Sequence, residues 1–202
     1  MLAFAHRGGL ADAPENSIEA FRLALSRGVT ALESDVWLDG TGAPVLSHSR
    51  PGPEALPLRS LWQQCGTSYD LCLDLKVRGA AGPVVAAARE AGADLRRLWL
   101  VGRGGEPLRW RGVDPDVRLV TDTRVQHALP MPTSYLRRLH DGGVDAVNLR
   151  RRNWSRNLVD RVHAAGLLAF AWDVQTPARR EAVRAMGVDG YYSDHLDLLV
   201  EP

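Results

Sequence analysis

Short apolar or alternating runs recur along the chain, and most are followed by a longer stretch whose apolar residues have helical spacing. This alternation of two periods is typical of βα units that build a parallel sheet. Eight runs are predicted to be strands: Leu2–Ala5, Thr30–Val36, Leu71–Leu75, Arg97–Val101, Arg118–Thr121, Ala146–Leu149, Leu167–Ala171 and Gly190–Ser193.

The clearest helical pattern covers Ser17–Ser26, where Ile18, Phe21 and Leu25 fall on one face. Asn16 or Ser17 can cap its start, and a glycine follows its end. The same spacing predicts three further helices: Pro83–Ala91, Ser155–Ala165 and Pro177–Met186.

Eight βα units in 202 residues give about 25 residues per unit, which suits a small (β/α)8 barrel. We therefore expect an α/β fold, a TIM barrel, as a single domain over residues 1–202. The alternative is a doubly wound open sheet, but no G-x-G-x-x-G motif follows the first strand. The irregular segment Asp39–Pro57 is expected to be a short active-site loop.

Charge and composition exclude some partners. The 25 basic and 24 acidic residues leave a formal net charge of +1, so we expect no nucleic-acid partner, because such binders carry a basic face. No apolar run is long enough to span a bilayer and no secretory signal is seen, so we expect a cytoplasmic protein without stable membrane association. Cys65 and Cys72 are expected to be reduced thiols.

Two carboxylates, Glu33 and Asp35, lie two residues apart on the second predicted strand, so both point to the same face. On a barrel strand that face is the interior, and two unpaired acids there are costly without a cation. Oxygen-only ligands suit a hard divalent ion, Mg²⁺ or Ca²⁺. The alternative is that each acid pairs with a buried arginine or lysine.

The third predicted strand adds Asp74 and Lys76 on the same inward face. Asp74 is a candidate third ligand, and Lys76 a point charge for a phosphate oxygen. The alternative is an internal Asp–Lys ion pair.

His6 and His48 end neighbouring segments of the predicted barrel, and Arg7 beside His6 offers a bidentate fork for a phosphate. Histidine titrates near neutrality and suits proton transfer to and from a phosphoester. Trp172 is expected either to wall the pocket or to plug the barrel top. The remaining four histidines are expected at the surface: His127, His140, His163 and His195.

Several ordered motifs resemble the glycerophosphodiester phosphodiesterase family, whose opening reads HRG, PENT, E-x-D and a later histidine. In this chain they are His6–Gly8, Ala13–Ser17, Glu33–Val36 and Pro44–His48, followed near the C-terminus by Trp172–Gln175 and Gly187–Asp194.

The resemblance implies a TIM barrel that hydrolyses glycerophosphodiesters to glycerol 3-phosphate and an alcohol with one divalent cation, Mg²⁺ or Ca²⁺, with Mn²⁺ as a further option. It implies that His6 and His48 are the acid–base pair. The remaining implied roles are metal binding by Glu33, Asp35 and Asp74, and phosphate or substrate binding by Arg7, Lys76, Glu15 and Trp172.

Three features depart from the family pattern. Asp74 stands where the family usually has Glu, Ser49 follows His48 where the family usually has Asp, and the segment after His48 is short. We expect the partner that orients His48 to be missing or to lie elsewhere, and the pocket to be more open. A lysophospholipase D-like enzyme and a catalytically silent phosphoester-binding protein remain alternatives, and the nucleophile is water or the substrate's own 2-hydroxyl.

Overall fold

The computed structural model describes residues 1–123 and 131–200. Its sheet contains a ring of parallel strands in the order β1, β10, β9, β8, β7, β6, β5, β2, and β2 pairs again with β1. The ring is therefore a closed eight-stranded parallel barrel, which confirms the predicted fold class. These strands are β1 (Leu2–Ala5), β2 (Ala31–Leu38), β5 (Asp70–Leu75), β6 (Leu98–Arg103), β7 (Arg118–Asp122), β8 (Ala146–Arg150), β9 (Leu168–Trp172) and β10 (Gly190–Ser193).

Two short strands extend the end of β2. The strand β3 (Pro44–Leu46) pairs antiparallel with β2, and β4 (Leu56–Pro57) pairs antiparallel with β3. The segment predicted to be an active-site loop is therefore a small hairpin-like extension at the mouth of the barrel.

Six α-helices cover the outside of the barrel in the part of the chain that the structure describes. They are α1 (Ile18–Ser26), α2 (Leu58–Cys65), α3 (Ala81–Glu90), α4 (Thr133–Asp141), α5 (Arg156–Ala164) and α6 (Pro177–Met186). Between β6 and β7 the chain makes only a short 3₁₀ helix, Pro107–Arg109, so this unit lacks the α-helix of a regular βα repeat.

Three of the predicted helices, α1, α5 and α6, begin with a side-chain N-cap. Ser17 caps α1 by accepting a hydrogen bond from the Ala20 amide, and Ser155 and Thr176 do the same for α5 and α6. The proline that was predicted to open α3 is its third residue, because that helix begins at Ala81.

Two apolar cores lie on opposite faces of the barrel strands. The larger one packs the helices against the outward side chains of the strands, such as Leu32 and Val36. The smaller core fills the barrel below its mouth with stacked and tilted rings; Phe4 and Tyr192, for example, lie 4.8 Å apart between ring centroids. This aromatic filling closes the barrel interior and forms a floor on which polar side chains can be placed.

No helix among the described residues combines the length and the apolar character needed to cross a bilayer. The cytoplasmic location and the single-domain span of residues 1–202 stay predictions. Cys65 and Cys72 are both free thiols, with Cys72 buried inside the barrel.

Candidate active site

A pocket of about 360 Å³ opens at the carboxyl ends of the barrel strands. This end of a (β/α)8 barrel is where such folds place their functional groups, because the loops there vary independently of the barrel. The pocket is lined by His6, Arg7, Glu33, Asp35, Asp74, Lys76, Val101, Asp122, Asn148, Arg150, Trp172, Asp173, Gln175, Tyr192 and Asp194. Seven of the nine residues proposed from the sequence as site residues line the pocket, and the other two, His48 and Glu15, bond to residues that line it.

The first strand delivers His6 and Arg7 through a tight turn. Arg7 has the left-handed backbone angle φ = 52°, and the glycines after it have φ = 87° and 94°. A Cβ on Gly8 would lie 2.8 Å from the Cβ of Ala20 on α1, so this position requires glycine. The turn aims the Arg7 backbone amide at Glu33, to which it donates a 3.0 Å hydrogen bond.

Glu33 is buried in the pocket, with 6% of its surface exposed. Burial raises its pKa to about 7, and the nearby charges of Asp35 and Asp74 act in the same direction. His6, whose Nε2 lies 3.9 Å from Glu33 Oε2, opposes this effect only partly. The positive charge near the carboxyl group of Glu33 is therefore too small to offset its burial.

Asp35 has the opposite surroundings, although it is also buried. Its Oδ1 contacts Lys76 Nζ at 2.6 Å, and its Oδ2 contacts Arg7 Nε and His48 Nδ1, each at 3.1 Å. The alternative proposed from the sequence, in which an acid pairs with a buried cation, thus describes Asp35 in this structure.

Asp74 and Lys76 share the inward face of β5, as predicted, and the Lys76 ammonium also pairs with Asp74. Burial favours the neutral amine, but Asp74 and Asp35 outweigh it and raise the pKa of Lys76. Lys76 stays charged and lies between the two carboxylates.

The carboxylate oxygens of Glu33, Asp35 and Asp74 are the type of donor that a hard divalent cation prefers. Three carboxylates face one pocket, and the raised pKa of Glu33 marks a place where added positive charge would relieve a desolvated acid. Across residues 1–123 and 131–200, however, no three His, Cys, Asp or Glu side chains converge as a metal-binding group. In this arrangement Lys76 pairs with both Asp35 and Asp74, and Arg7 pairs with Asp35.

His6 is held by Asp194, at the end of β10. The distance between His6 Nδ1 and Asp194 Oδ1 is 2.6 Å. Burial of His6 acts to lower its pKa, but the charge of Glu33 and the hydrogen bond to Asp194 outweigh it and raise the pKa. The sequence analysis did not select Asp194, although it quoted the segment that contains it.

His48 lies at the rim, with 47% of its side chain exposed, and it is not part of the pocket wall. Its Nδ1 meets Asp35, and its Nε2 lies 3.4 Å from an Arg7 guanidinium nitrogen. Asp35 thus takes the place of the carboxylate that is missing after His48, and the expectation that the partner lies elsewhere agrees with the geometry. Glu15 binds Arg7 from the outside at 2.7 Å.

The far side of the pocket is formed by residues that the sequence analysis left out. Asp122, Asn148, Arg150 and Gln175 all lie at or just beyond the ends of β7 to β9. For Asp122, Asn148 and Arg150 the only signal in the sequence is a polar residue near the end of an apolar strand, whereas Gln175 belongs to the quoted segment Trp172–Gln175.

Trp172 lines the pocket wall with 39% of its surface exposed, and Arg150 stacks on its ring at 5.3 Å. It walls the pocket rather than plugging it. His140, His163 and His195 are exposed and do not line the pocket, whereas His127 lies outside the described residues.

Comparisons with known proteins point the same way. Residues 6–92 match the model of the glycerophosphoryl diester phosphodiesterase family. Glycerophosphodiester phosphodiesterase 1 of Rattus norvegicus is 50% identical over 46 residues, which is 23% of this chain and 14% of the relative. The chain therefore spans only a small part of this relative's length.

Two further relatives extend over nearly the whole chain. A Bacillus subtilis (strain 168) protein, provisionally named as a glycerophosphodiester phosphodiesterase, is 23% identical over 100% of this chain and 97% of its own length. An Oleispira antarctica phosphodiesterase, solved in complex with the product sn-glycerol-3-phosphate, superposes with a TM-score of 0.79 at 19% identity, over 98% of this chain and 95% of that one. The motif resemblance is thus confirmed: over residues 6–92 the chain is similar to the glycerophosphoryl diester phosphodiesterase family.

Proposed function

We propose that this protein is a phosphoric diester hydrolase that cleaves glycerophosphodiesters to glycerol 3-phosphate and an alcohol, with the help of one divalent cation. The observation that carries the proposal is that one pocket is lined by six acids, by three cationic side chains and by a histidine bound to one of those acids. The family match over residues 6–92 and the relative solved with glycerol 3-phosphate support the substrate class.

Glu33, Asp35 and Asp74 would hold the cation, Mg²⁺ or Ca²⁺, with Mn²⁺ as an alternative. Oxygen-only donors favour these ions over zinc or copper. The bound ion supplies Lewis-acid neutralisation of the charge on the phosphoryl oxygens. Lys76 and Arg7 would then exchange part of their contact with Asp35 for the substrate phosphate.

Arg7 and Lys76 bind the phosphate in this proposal. Arg7 is held on one side by Glu15 and on the other by Asp35, which fixes the plane of its guanidinium group. A guanidinium held in one plane can offer paired N–H donors to two phosphate oxygens. Trp172 would form a wall against the organic part of the substrate.

His6 and His48 move the protons. One takes the proton from the attacking hydroxyl and the other gives a proton to the oxygen of the departing alcohol as the P–O bond breaks. Each has a carboxylate at its Nδ1, so each can present Nε2 to the substrate. Both nucleophiles, water and the substrate's 2-hydroxyl, are compatible with this arrangement.

The test is an assay with glycerophosphocholine and related diesters in Mg²⁺, Mn²⁺ or Ca²⁺, after chelator treatment, in which glycerol 3-phosphate is measured. We expect product with at least one metal and none in chelator. Detection of a cyclic phosphate before glycerol 3-phosphate would identify the 2-hydroxyl as nucleophile.

Two outcomes point to the alternatives. Faster release of choline from lysophosphatidylcholine than from glycerophosphocholine would favour the lysophospholipase D-like activity. Absence of product with every metal and diester, together with saturable binding of glycerol 3-phosphate measured by calorimetry, would contradict the proposal and favour a silent phosphoester-binding protein.

A further inference from the structure

We infer that Asp194 is a positioning residue that fixes the tautomer and orientation of the His6 imidazole. The inference rests on the proposed function, in which His6 transfers a proton. It concerns a residue that lies 188 positions away in sequence and reaches His6 only because β10 pairs with β1 when the barrel closes.

The contact between the two side chains is direct and short. Asp194 Oδ1 lies 2.6 Å from His6 Nδ1, a distance typical of a charge-assisted hydrogen bond. A carboxylate can only accept here, so Nδ1 carries the proton. In the neutral ring the lone pair is then on Nε2, the nitrogen that lies toward Glu33.

Asp194 is itself held in place from several directions. Its backbone amide donates to Gln175 Oε1 at 2.9 Å, and the hydroxyl of Ser193 donates to the same oxygen at 3.2 Å. Its backbone carbonyl accepts from the amide of Ala11 at 3.1 Å. The carboxylate is therefore placed by β10, by the segment after β9 and by the loop after β1.

His48 provides the contrast. Its carboxylate partner, Asp35, is shared with Lys76 and Arg7. The only ion pair that Asp194 forms in the described part of the chain is the one with His6. Among the described residues, Asp194 therefore forms an ion pair only with His6, whereas Asp35 forms ion pairs with several cationic groups.

Because His6 and Asp194 are mostly buried, their contact determines which ring nitrogen of His6 carries the proton. The side chains of His6 and Asp194 are 30% and 25% exposed, so water competes only weakly for Nδ1. Without the carboxylate, the imidazole is free to rotate and to place its proton on Nε2, the more stable arrangement of a free ring, and Nε2 could then no longer accept a proton.

Two measurements on the full chain test the inference. The first is long-range ¹H–¹⁵N NMR of the histidine rings, without substrate, at a pH where the rings are neutral. We expect the Nδ1–H tautomer for His6 in the native chain and a shift toward Nε2–H in Asp194→Ala. This readout does not depend on any activity.

The second measurement is the steady-state kinetics of Asp194→Asn and Asp194→Ala with a glycerophosphodiester. Loss of a residue that orients a reacting group costs about 10- to 100-fold in activity. We expect that loss in kcat, with KM changed less than about twofold. Asp197→Asn is the matched control, because Asp197 is an exposed acid three residues further on and should leave kcat unchanged.

The outcomes separate the two proposals. An Nε2–H tautomer in the native chain, or the same tautomer populations in native and Asp194→Ala, would overturn the inference whether or not the protein is an enzyme. A native chain without phosphodiesterase activity, but with the expected tautomer shift, would overturn the proposed function and leave the positioning contact established. Loss of folding in Asp194→Ala is detected in the same spectra, and Asp194→Asn then carries the kinetic test.

Discussion

The two halves of the barrel mouth differ in how completely their polar groups are paired. At the ends of β1, β2 and β5, the side chains of Arg7, Asp35 and Lys76 each contact at least two oppositely charged groups. We call this the charged half. At the ends of β7, β8 and β9, which we call the open half, Arg150 pairs with Asp173, but the buried Asn148 Oδ1 has no hydrogen-bond partner within the described residues.

The difference indicates that the charged half carries out the reaction and the open half binds the ligand. A network of paired charges in a confined space holds its members in fixed positions, and this is what a reaction centre needs for a charge that develops in the transition state. Unpaired polar atoms in a pocket retain their hydrogen-bonding capacity for a ligand. We therefore expect substitutions in the charged half to lower kcat and those in the open half to raise KM.

The largest effect is expected from His6→Ala and His48→Ala. Each removes a group that we assign to proton transfer, which contributes about 10²- to 10⁴-fold to a rate. We expect kcat for glycerophosphodiester hydrolysis to fall by that amount while metal affinity, measured by calorimetry, stays unchanged.

His163→Ala is the matched control for these variants. His163 also pairs with an aspartate, Asp189, at 2.8 Å, but this pair lies just before β10, at the end of the barrel away from the pocket. Activity in His163→Ala should equal that of the native chain. Retention of more than half of the native kcat in either His6→Ala or His48→Ala would refute the acid–base assignment.

Glu33→Gln should separate the stability of the charged half from its activity. Burial raises the folded-state pKa of Glu33 to about 7, against an ordinary value of 4.5. Ionised Glu33 therefore destabilises the metal-free fold, and stability is lost as the pH rises from about 4.5 through about 7. In chelator at pH 8 we expect Glu33→Gln to be more stable than the native chain by about 3 kcal/mol.

Urea denaturation at several pH values measures this effect. The stability difference should shrink toward zero below about pH 4.5, where Glu33 is protonated in both states. Glu54→Gln is the control, since Glu54 is an exposed acid in the segment before β4, and it should match the native chain throughout. A native chain that is more stable than Glu33→Gln at pH 8 in chelator would show that another cation of the chain already neutralises Glu33.

The residues of the charged half could be predicted because the sequence pattern that reveals them lies within single strands. Glu33 and Asp35 alternate with apolar residues along one strand, as do Asp74 and Lys76, and this spacing alone places them on the inner face. The ion pairs among them were offered only as alternatives, because the choice between a metal and a lysine depends on side-chain distances.

The open half lacked a local signal. Asn148 and Arg150 are ordinary polar residues at the end of one apolar strand, and the pairing of Asp194 with His6 requires the closure of β10 on β1.

All eight barrel strands were predicted to within two residues at their ends, but the helices Leu58–Cys65 and Thr133–Asp141 were not predicted. Each of these helices is short and buries only two or three side chains, so the helical spacing of apolar residues is too brief to recognise in the sequence.

A smaller effect is expected from Asn148→Ala in the open half. Loss of one hydrogen bond to the substrate costs about 1.4 kcal/mol, which corresponds to a tenfold rise in KM. The kcat should stay within about twofold of the native value. Asn157→Ala, which removes an exposed asparagine on α5, is the control. A fall in kcat as large as that of His6→Ala would place Asn148 in the reaction centre and remove the distinction between the two halves.

The smallest effect is expected from Trp172→Ala, because its ring is 39% exposed and its packing partner in the site is Arg150, 5.3 Å from the ring centre. A cation–π contact at such an exposed position contributes about 0.5 to 1 kcal/mol, so a two- to fivefold rise in KM follows if the stack holds the substrate wall in place. Trp172→Phe keeps an aromatic face for Arg150 and should restore most of the native KM. If both variants raise KM equally, the indole N–H rather than the stacked ring is what the substrate contacts. If neither changes KM, the wall formed by Trp172 does not reach the substrate, and the open half is confined to the side chains deeper in the pocket.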